Sequence, residues 1–409
     1  MSEAIPAAAR RGSRRTIGAL VAAQMLGGIG MGSALSVGAL LAKEVSGSDA
    51  WSGAASTFTT LGAALLAVPL ARLAVARGRG IALGAGAVLA GAGGALAILA
   101  GARSSLPALI LAFLLIGVST AVGLQARFAA AEHAEPARRG LMLSTVMWAT
   151  TVGAVAGPNL SGPGEALGLA LGLPHLTGPF LFTVAAQAAA TLIYLALVRP
   201  APGGAADPDR PGARARGRVR AALRRSPVAR RAIAAIGVSQ FVMVMLMAMT
   251  PIHLVAHGAS LEVVGLTISL HVAGMYAASP LFGWAADRFG RRAVILAGQA
   301  MFAAVAALVL AAPADRAALI AALILLGLGW SAAVIAGSAA VTEAIPVADR
   351  AAVQGASDLV MNACGAVGGA IGGPLLALLG FPPLTLVALI PVAGVVVSQL
   401  RGGATPARG

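Results

Sequence analysis

Gly283-Trp284-Ala285-Ala286-Asp287-Arg288-Phe289-Gly290-Arg291-Arg292 stands where two long apolar runs, 261–285 and 293–312, meet. Each run has the roughly 20 residues that a helix needs to cross a bilayer. The segment therefore reads as a short polar turn between two membrane spans. Gly290 permits a tight turn, and Gly283 is expected to let helices approach closely. Asp287 is expected against a helix N-terminus, where a negative charge is favoured. The arginines have a partner in Glu343, which ends a later apolar run. The alternative is a charged loop that merely obeys the charge rule for membrane proteins, and it leaves the glycines and the acid unexplained.

Outward from this turn the rest of the chain follows the same rule. Of its 409 residues 58% are hydrophobic and 11% charged, against about 25% charged in soluble domains. The 53 glycines suit closely packed membrane helices. A soluble chain of this length needs far more polar surface. Twelve spans are predicted: 16–42, 51–75, 80–101, 106–130, 138–160 and 177–198, then 231–256, 261–285, 293–312, 316–342, 351–379 and 381–400. The run after Arg10, Arg11, Arg14 and Arg15 is too long for a signal peptide and shows no obvious cleavage site.

The net charge of +15 would suggest a nucleic-acid partner in a soluble protein. Placed on the spans, it orients the chain instead. With the N-terminus inside, nearly every arginine falls on the cytoplasmic side, and Lys43, Arg103 and Arg316 alone fall outside. Both termini are then cytoplasmic. Arg199–Ser226, rich in Pro, Gly, Asp and Arg, reads as a flexible cytoplasmic connector with a lipid-facing basic patch as a secondary role. It lacks the interleaved aromatics of a nucleic-acid surface, so none is expected. The single cysteine, Cys364, lies in an apolar stretch and builds no disulfide framework.

The halves repeat each other. Arg14-Arg15-Thr16-Ile17 leads to Gln24 as Arg230-Arg231-Ala232-Ile233 leads to Gln240. Arg138 precedes Gly153-Ala154-Val155 at the spacing with which Arg350 precedes Gly365-Ala366-Val367, and Glu132 with Pro136 matches Glu343 with Pro346. Such a parallel repeat implies two six-helix bundles, 1–198 and 231–409, joined by the basic linker 199–230. It places a solute site between them near the midplane and suits rocking-type alternating access.

The turn at Gly283–Arg292 resembles the signature G-x-x-x-D-R-x-G-R-R of the major facilitator superfamily, and with the spans and repeat the resemblance covers nearly the whole chain. It implies an all-α membrane fold of 6+6 helices with pseudo-two-fold symmetry. It also implies secondary transport of a small solute, with a conformational latch made by Gly283, Asp287, Arg288, Gly290, Arg291, Arg292 and Glu343. By resemblance Asp287 would face the start of the fifth span, near Arg138 and Arg139. The first-half counterpart, Arg72 to Gly80, keeps the glycine and basic residues but lacks the aspartate. Gly153, Gly157 and Pro158 resemble the fifth-span motif of the family's antiporters; ordinary glycine packing with a proline bend is the competing explanation.

Charges deep in a membrane are suspects for coupling. Asp358, about 10 Å into the eleventh span, and His271, near the midplane, are the proton-coupling candidates; each also has a structural reading, as partner of Arg127 or a helix terminus and as a buried neutral ring. Arg127 itself lines the cavity mouth or snorkels. Gln24, Gln240, Thr150, Asn362 and Tyr276 are candidates for the solute cavity, or for bridges between helices. His253 and His257, with Glu262 following, fall short of a metal set. Neither a phosphate-binding loop nor a nucleophile–base pair is recognisable, so no cofactor is expected and a proton gradient is the expected energy source. The expected partners are the bilayer and a small organic solute, and a monomer suffices. The leading expectation is proton-coupled efflux across the cell membrane. Uptake by a symporter or facilitator on the same fold, or a non-transporting receptor, are the alternatives.

Overall fold

The structure, a computed structural model, describes residues 7–133, 139–198 and 213–401. With the bilayer as solvent, each backbone polar group must be satisfied within its own helix, and the described chain is helical almost throughout. The helices are α1 (Ala7–Ser46), α2 (Ala54–Arg77), α3 (Arg79–Ala102), α4 (Leu106–His133), α5 (Arg139–Ala156), α6 (Ser161–Ala170) and α7 (Phe180–Leu197). After them come α8 (Ala213–Arg225), α9 (Pro227–Ala256), α10 (Leu261–Ala277), α11 (Ser279–Phe289), α12 (Arg291–Ala311), α13 (Arg316–Ala344), α14 (Val347–Leu379) and α15 (Phe381–Arg401). Among the described residues ten helices are long and apolar enough to cross a membrane. The pair α10 and α11, bent by 40°, makes an eleventh when the two are counted as one broken span. The expected span 138–160 corresponds to α5 and the turn that follows it; Arg138 lies outside the described residues.

Prolines set the breaks. Pro280, at the start of α11, lacks the N–H that would continue α10, and the residue before a proline is pushed from helical geometry. Pro158 ends α5 in a 3-10 turn, Gly157–Leu160, from which α6 sets off.

The chain divides into two compact units: Met1–Ser48, Ala54–Ala206 and Ser260–Ser269 in one; Asp49–Gly53, Asp207–Ala259 and Leu270–Gly409 in the other. The sequence halves therefore exchange two short segments, which the repeat did not foretell. The first unit's core packs Leu20 and Ala23 of α1 on Leu83, Ala87, Val118, Ala121 and Tyr194. The second has a core of Ala235, Phe282, Ala286, Ile295, Ala332 and Ala336, and a smaller one where Ala222 meets Ala229, Ile233, Val341 and Val353.

That second core corrects the reading of Arg199–Ser226 as a flexible connector. Residues 199–212 lie outside the described residues, but Ala213–Arg225 is helix α8. Alanine and arginine are strong helix formers. Val219, Ala222 and Leu223 also fall on one face, spaced to bury together.

Candidate functional site

The first unit is organised around a seam between α1 and α5. Gly28 and Gly32 of α1 lie against Gly153 of α5 and Gly157 of the 3-10 turn after it. A Cβ on Gly28 would stand 2.6 Å from the carbonyl oxygen of Thr150, and one on Gly157 would stand 2.9 Å from the Cα of Gly32. Small residues four apart on both helices bring the backbones this close. The bend at Pro158 is held from α1: Ser33 Oγ donates to the Gly157 carbonyl (3.0 Å), and Ser36 Oγ lies 2.6 Å from Ser161 Oγ, which itself donates to the Pro158 carbonyl (2.7 Å). Hydroxyls thus supply further partners to the carbonyls of the turn. In the same unit Asn159 Nδ2 donates to Ser269 Oγ (2.8 Å), and that hydroxyl donates to the Val155 carbonyl (2.6 Å). Gly153, Gly157 and Pro158 therefore form a tight, locally bent seam, while Thr150 is half-buried at its edge.

Gln24 is buried, and its Nε2 donates to the Gly123 carbonyl on α4 (3.3 Å). Its repeat counterpart Gln240 accepts from Trp330 Nε1 on α13 (2.6 Å). The Trp330 ring meets Tyr276 edge to face, with centroids 5.9 Å apart. Two of the predicted cavity residues, Gln240 and Tyr276, are thus joined through a tryptophan that the sequence reading missed. Trp330 is a single aromatic inside an apolar run, with no spacing to mark it.

The rotational phase of α14 places Asp358. The stripe of α14 that packs inward is Val353, Ser357, Gly365, Gly368 and Gly372. Residue 358 falls about 100° round the helix from 357, and its side chain is exposed rather than buried. Gln354 Nε2 donates to Asp358 Oδ1 (3.3 Å), and Asn362 Nδ2 donates to the Asp358 carbonyl (2.8 Å). The three make one polar row at i, i+4 and i+8. Gln354 was legible in principle, since it stands four residues before the carboxylate. Arg127, the alternative partner, has no described side chain.

His271 stands apart from that row and is fully buried. Its Nδ1 donates to the Leu323 carbonyl (2.8 Å), which fixes the ring, and Nε2 has no hydrogen-bond partner among the described residues. His253 and His257 each direct a ring nitrogen at a backbone carbonyl: Nε2 of His253 at Pro313 (2.6 Å), and Nδ1 of His257 at His253 (2.8 Å).

At the arginine-rich end of the second unit, Arg291 Nη1 lies 2.5 Å from Asp287 Oδ1. Its Nη2 and Nε lie 2.6 and 3.1 Å from Glu343 Oε1. One guanidinium thus ties the end of α11 to the end of α13, and Arg292 Nη2 donates to the Leu400 carbonyl on α15 (3.3 Å). Asp287 closes the last turn of α11 rather than capping a helix N-terminus. Gly290 has φ 90°, in the region glycine alone enters freely. Among the described residues a Cβ built at Gly283 meets nothing within 4 Å. Arg288 is exposed. The expected neighbours of Asp287 cannot be placed beside it, since Arg138 lies outside the described residues and Arg139 has no described side chain.

A further cluster in the first unit had no signal in the sequence. Glu165, buried on α6, accepts from the Leu176 amide (3.0 Å), and His175 Nδ1 lies 3.1 Å from Glu44 Oε2.

A family model described as Major Facilitator Superfamily matches residues 20–260 and 233–401. The uncharacterized MFS-type transporters YddS and YdeG of Bacillus subtilis (strain 168) are 32% and 34% identical, over 95% and 93% of this chain and 89% and 91% of theirs. The riboflavin transporter RfnT of Brucella anthropi is 29% identical over 97% of this chain and 98% of its own. Among solved structures, a bacterial homologue of the human lysosomal transporter Spinster superposes with a TM-score of 0.75 at 15% identity, covering 97% of this chain and 99% of that one. The nucleoside transporter NupG gives 0.74 at 15% identity, covering 94% and 98%. The chain belongs to the Major Facilitator Superfamily: it is an all-helical, multi-pass membrane transporter rather than an enzyme.

Proposed function

We propose that the chain exports a small organic solute across the cell membrane by alternating access in exchange for protons, working as a monomer with both termini in the cytoplasm. The observation that carries the coupling is the row Gln354–Asp358–Asn362. It sets an exposed carboxylate about 16 Å along α14 from Val347. A charge facing lipid at that depth is costly. The row therefore lines a water-filled path, where Asp358 takes up and releases a proton in each cycle. Export is supported by the bent α1–α5 seam at Pro158, which matches the antiporter-like motif. In vesicles with an imposed pH gradient, solute flux should scale with the gradient, and Asp358→Asn should abolish that dependence while leaving downhill exchange. Flux blind to the gradient, and unchanged in the variant, would remove the proton from the mechanism.

A second reading has its own observation. The Trp330–Tyr276 pair beside the Gln240 carboxamide offers a ring face and a hydrogen-bonding group, which suit a flat heteroaromatic solute. The relative RfnT is named for riboflavin. On this reading the direction is uptake. Riboflavin should raise the melting temperature of the purified protein, and Trp330→Leu should erase that shift; accumulation assays in cells then decide the direction.

A further inference from the structure

Helix α8 has two faces with different fates. Val219, Ala222 and Leu223 pack with Ala229, Ile233, Val341, Ile345 and Val353. That contact sits where the candidate spans α9 and α14 begin and α13 ends. Arg230 of α9 pins the arrangement: its Nη1 donates to the Leu223 and Arg224 carbonyls (3.0 and 2.9 Å), which the end of a helix leaves open. Turned outward are Arg218, Arg220, Arg224 and Arg225, all exposed, with no acid on the helix. The described acids at this end of the unit are engaged elsewhere. Asp287 and Glu343 share Arg291, and Asp349 lies in the first turn of α14, where a helix N-terminus favours it.

An interfacial helix ordinarily holds a membrane by dipping its apolar face into the acyl boundary. The protein's own core occupies that face of α8, so hydrocarbon is not the partner. Guanidinium forks match phosphate oxygens. A helix fixed where three spans leave the bilayer meets phosphate at the headgroup layer. We propose that the exposed arginine face of α8 binds the headgroup phosphates of anionic phospholipid.

The test uses the full chain in detergent, titrated with phosphatidylglycerol or with phosphatidylcholine and read by native mass spectrometry. Phosphatidylglycerol should be retained and phosphatidylcholine should not. Replacing Arg218, Arg220, Arg224 and Arg225 by Gln should weaken retention by about fivefold per arginine, while lysine at all four restores most of it. Raising salt from about 0.1 M to about 1 M should erase the difference between parent and variant. Equal retention by parent and glutamine variant, the variant eluting as a folded particle, overturns the proposal. So does displacement of the lipid by inorganic phosphate at equal concentration, which marks a phosphate site, or by short duplex DNA at lower concentration, which marks a nucleic-acid surface. If the glutamine variant does not fold, the lysine variant with and without salt carries the same decision.

Discussion

Between α2 and α3, and again between α11 and α12, a single glycine carries the chain from one helix into the next: Gly78 at φ 93°, ψ 159° and Gly290 at φ 90°, ψ 149°. Three residues earlier the loops part, with Val75 in the first and Asp287 in the second. The matched glutamines differ in the same sense. Gln24 is buried against a backbone carbonyl of α4, while Gln240 holds Trp330 of α13 beside the half-open Tyr276. The turn geometry is duplicated because the fold needs it in both halves. The aspartate of the ion network is not, and among the described residues the Trp330–Tyr276 pair has no first-half counterpart. On the proposed function, the second half is expected to carry the moving parts and the first half to be the stiffer frame.

The strongest way to break that contrast is to add one methyl group at matched positions. A Cβ on Gly153 runs into the backbone of Met25 and Ile29, which cannot move without parting α1 from α5. On Gly365 it meets the Gln240 side chain at 3.1 Å, which can turn aside. Gly153→Ala should cost about 3 kcal/mol, and Gly365→Ala less than about 1 kcal/mol, read as thermal unfolding in detergent. Equal losses would mean that the first half is no stiffer than the second.

The glutamines sharpen the same contrast. Gln24→Met should lower stability by about 1 kcal/mol and leave flux per folded molecule unchanged. Gln240→Met frees the Trp330 indole and should raise the apparent KM about tenfold, the equivalent of about 1.4 kcal/mol, with little change in melting. A KM effect at Gln24 equal to that at Gln240 would put both on the solute path.

How far the sequence reached follows from which constraints are one-dimensional. Lipid forbids unpaired polar backbone, so spans show as apolar runs, and the repeat shows as matched Arg–Gln and Arg–Gly spacings. The pairing of Arg291 with Glu343 was readable because both stand at span ends on one side. Rotational phase was not readable. It decides that Ser357 is buried and Asp358 exposed, and that none of the described residues comes within 4 Å of a Cβ at Gly283. It depends on which neighbour each helix packs against, and composition does not record that. Helix α8 was hidden for a related reason: its polar composition reads as unfolded until Val219, Ala222 and Leu223 find Ile233 and Val353.

At the second-half turn, Asp287 and Glu343 are largely exposed, so Arg291→Gln should cost less than about 1 kcal/mol of stability. Flux should still fall about threefold, through a shift of about 0.6 kcal/mol between conformations. The smallest effect is the most pointed. Val75→Asp places a carboxylate four residues before Arg79, as Asp287 stands before Arg291. An exposed pair across the α2–α3 turn adds about 0.3 kcal/mol, so melting should rise by a degree or less. Combined with Arg291→Gln, it should leave flux low, because the second-half guanidinium, at the start of α12, holds Glu343 on α13 as well as Asp287 on α11. Full recovery of flux in the double variant would show that a charge pair across one turn is enough, and that the bridge to α13 is incidental.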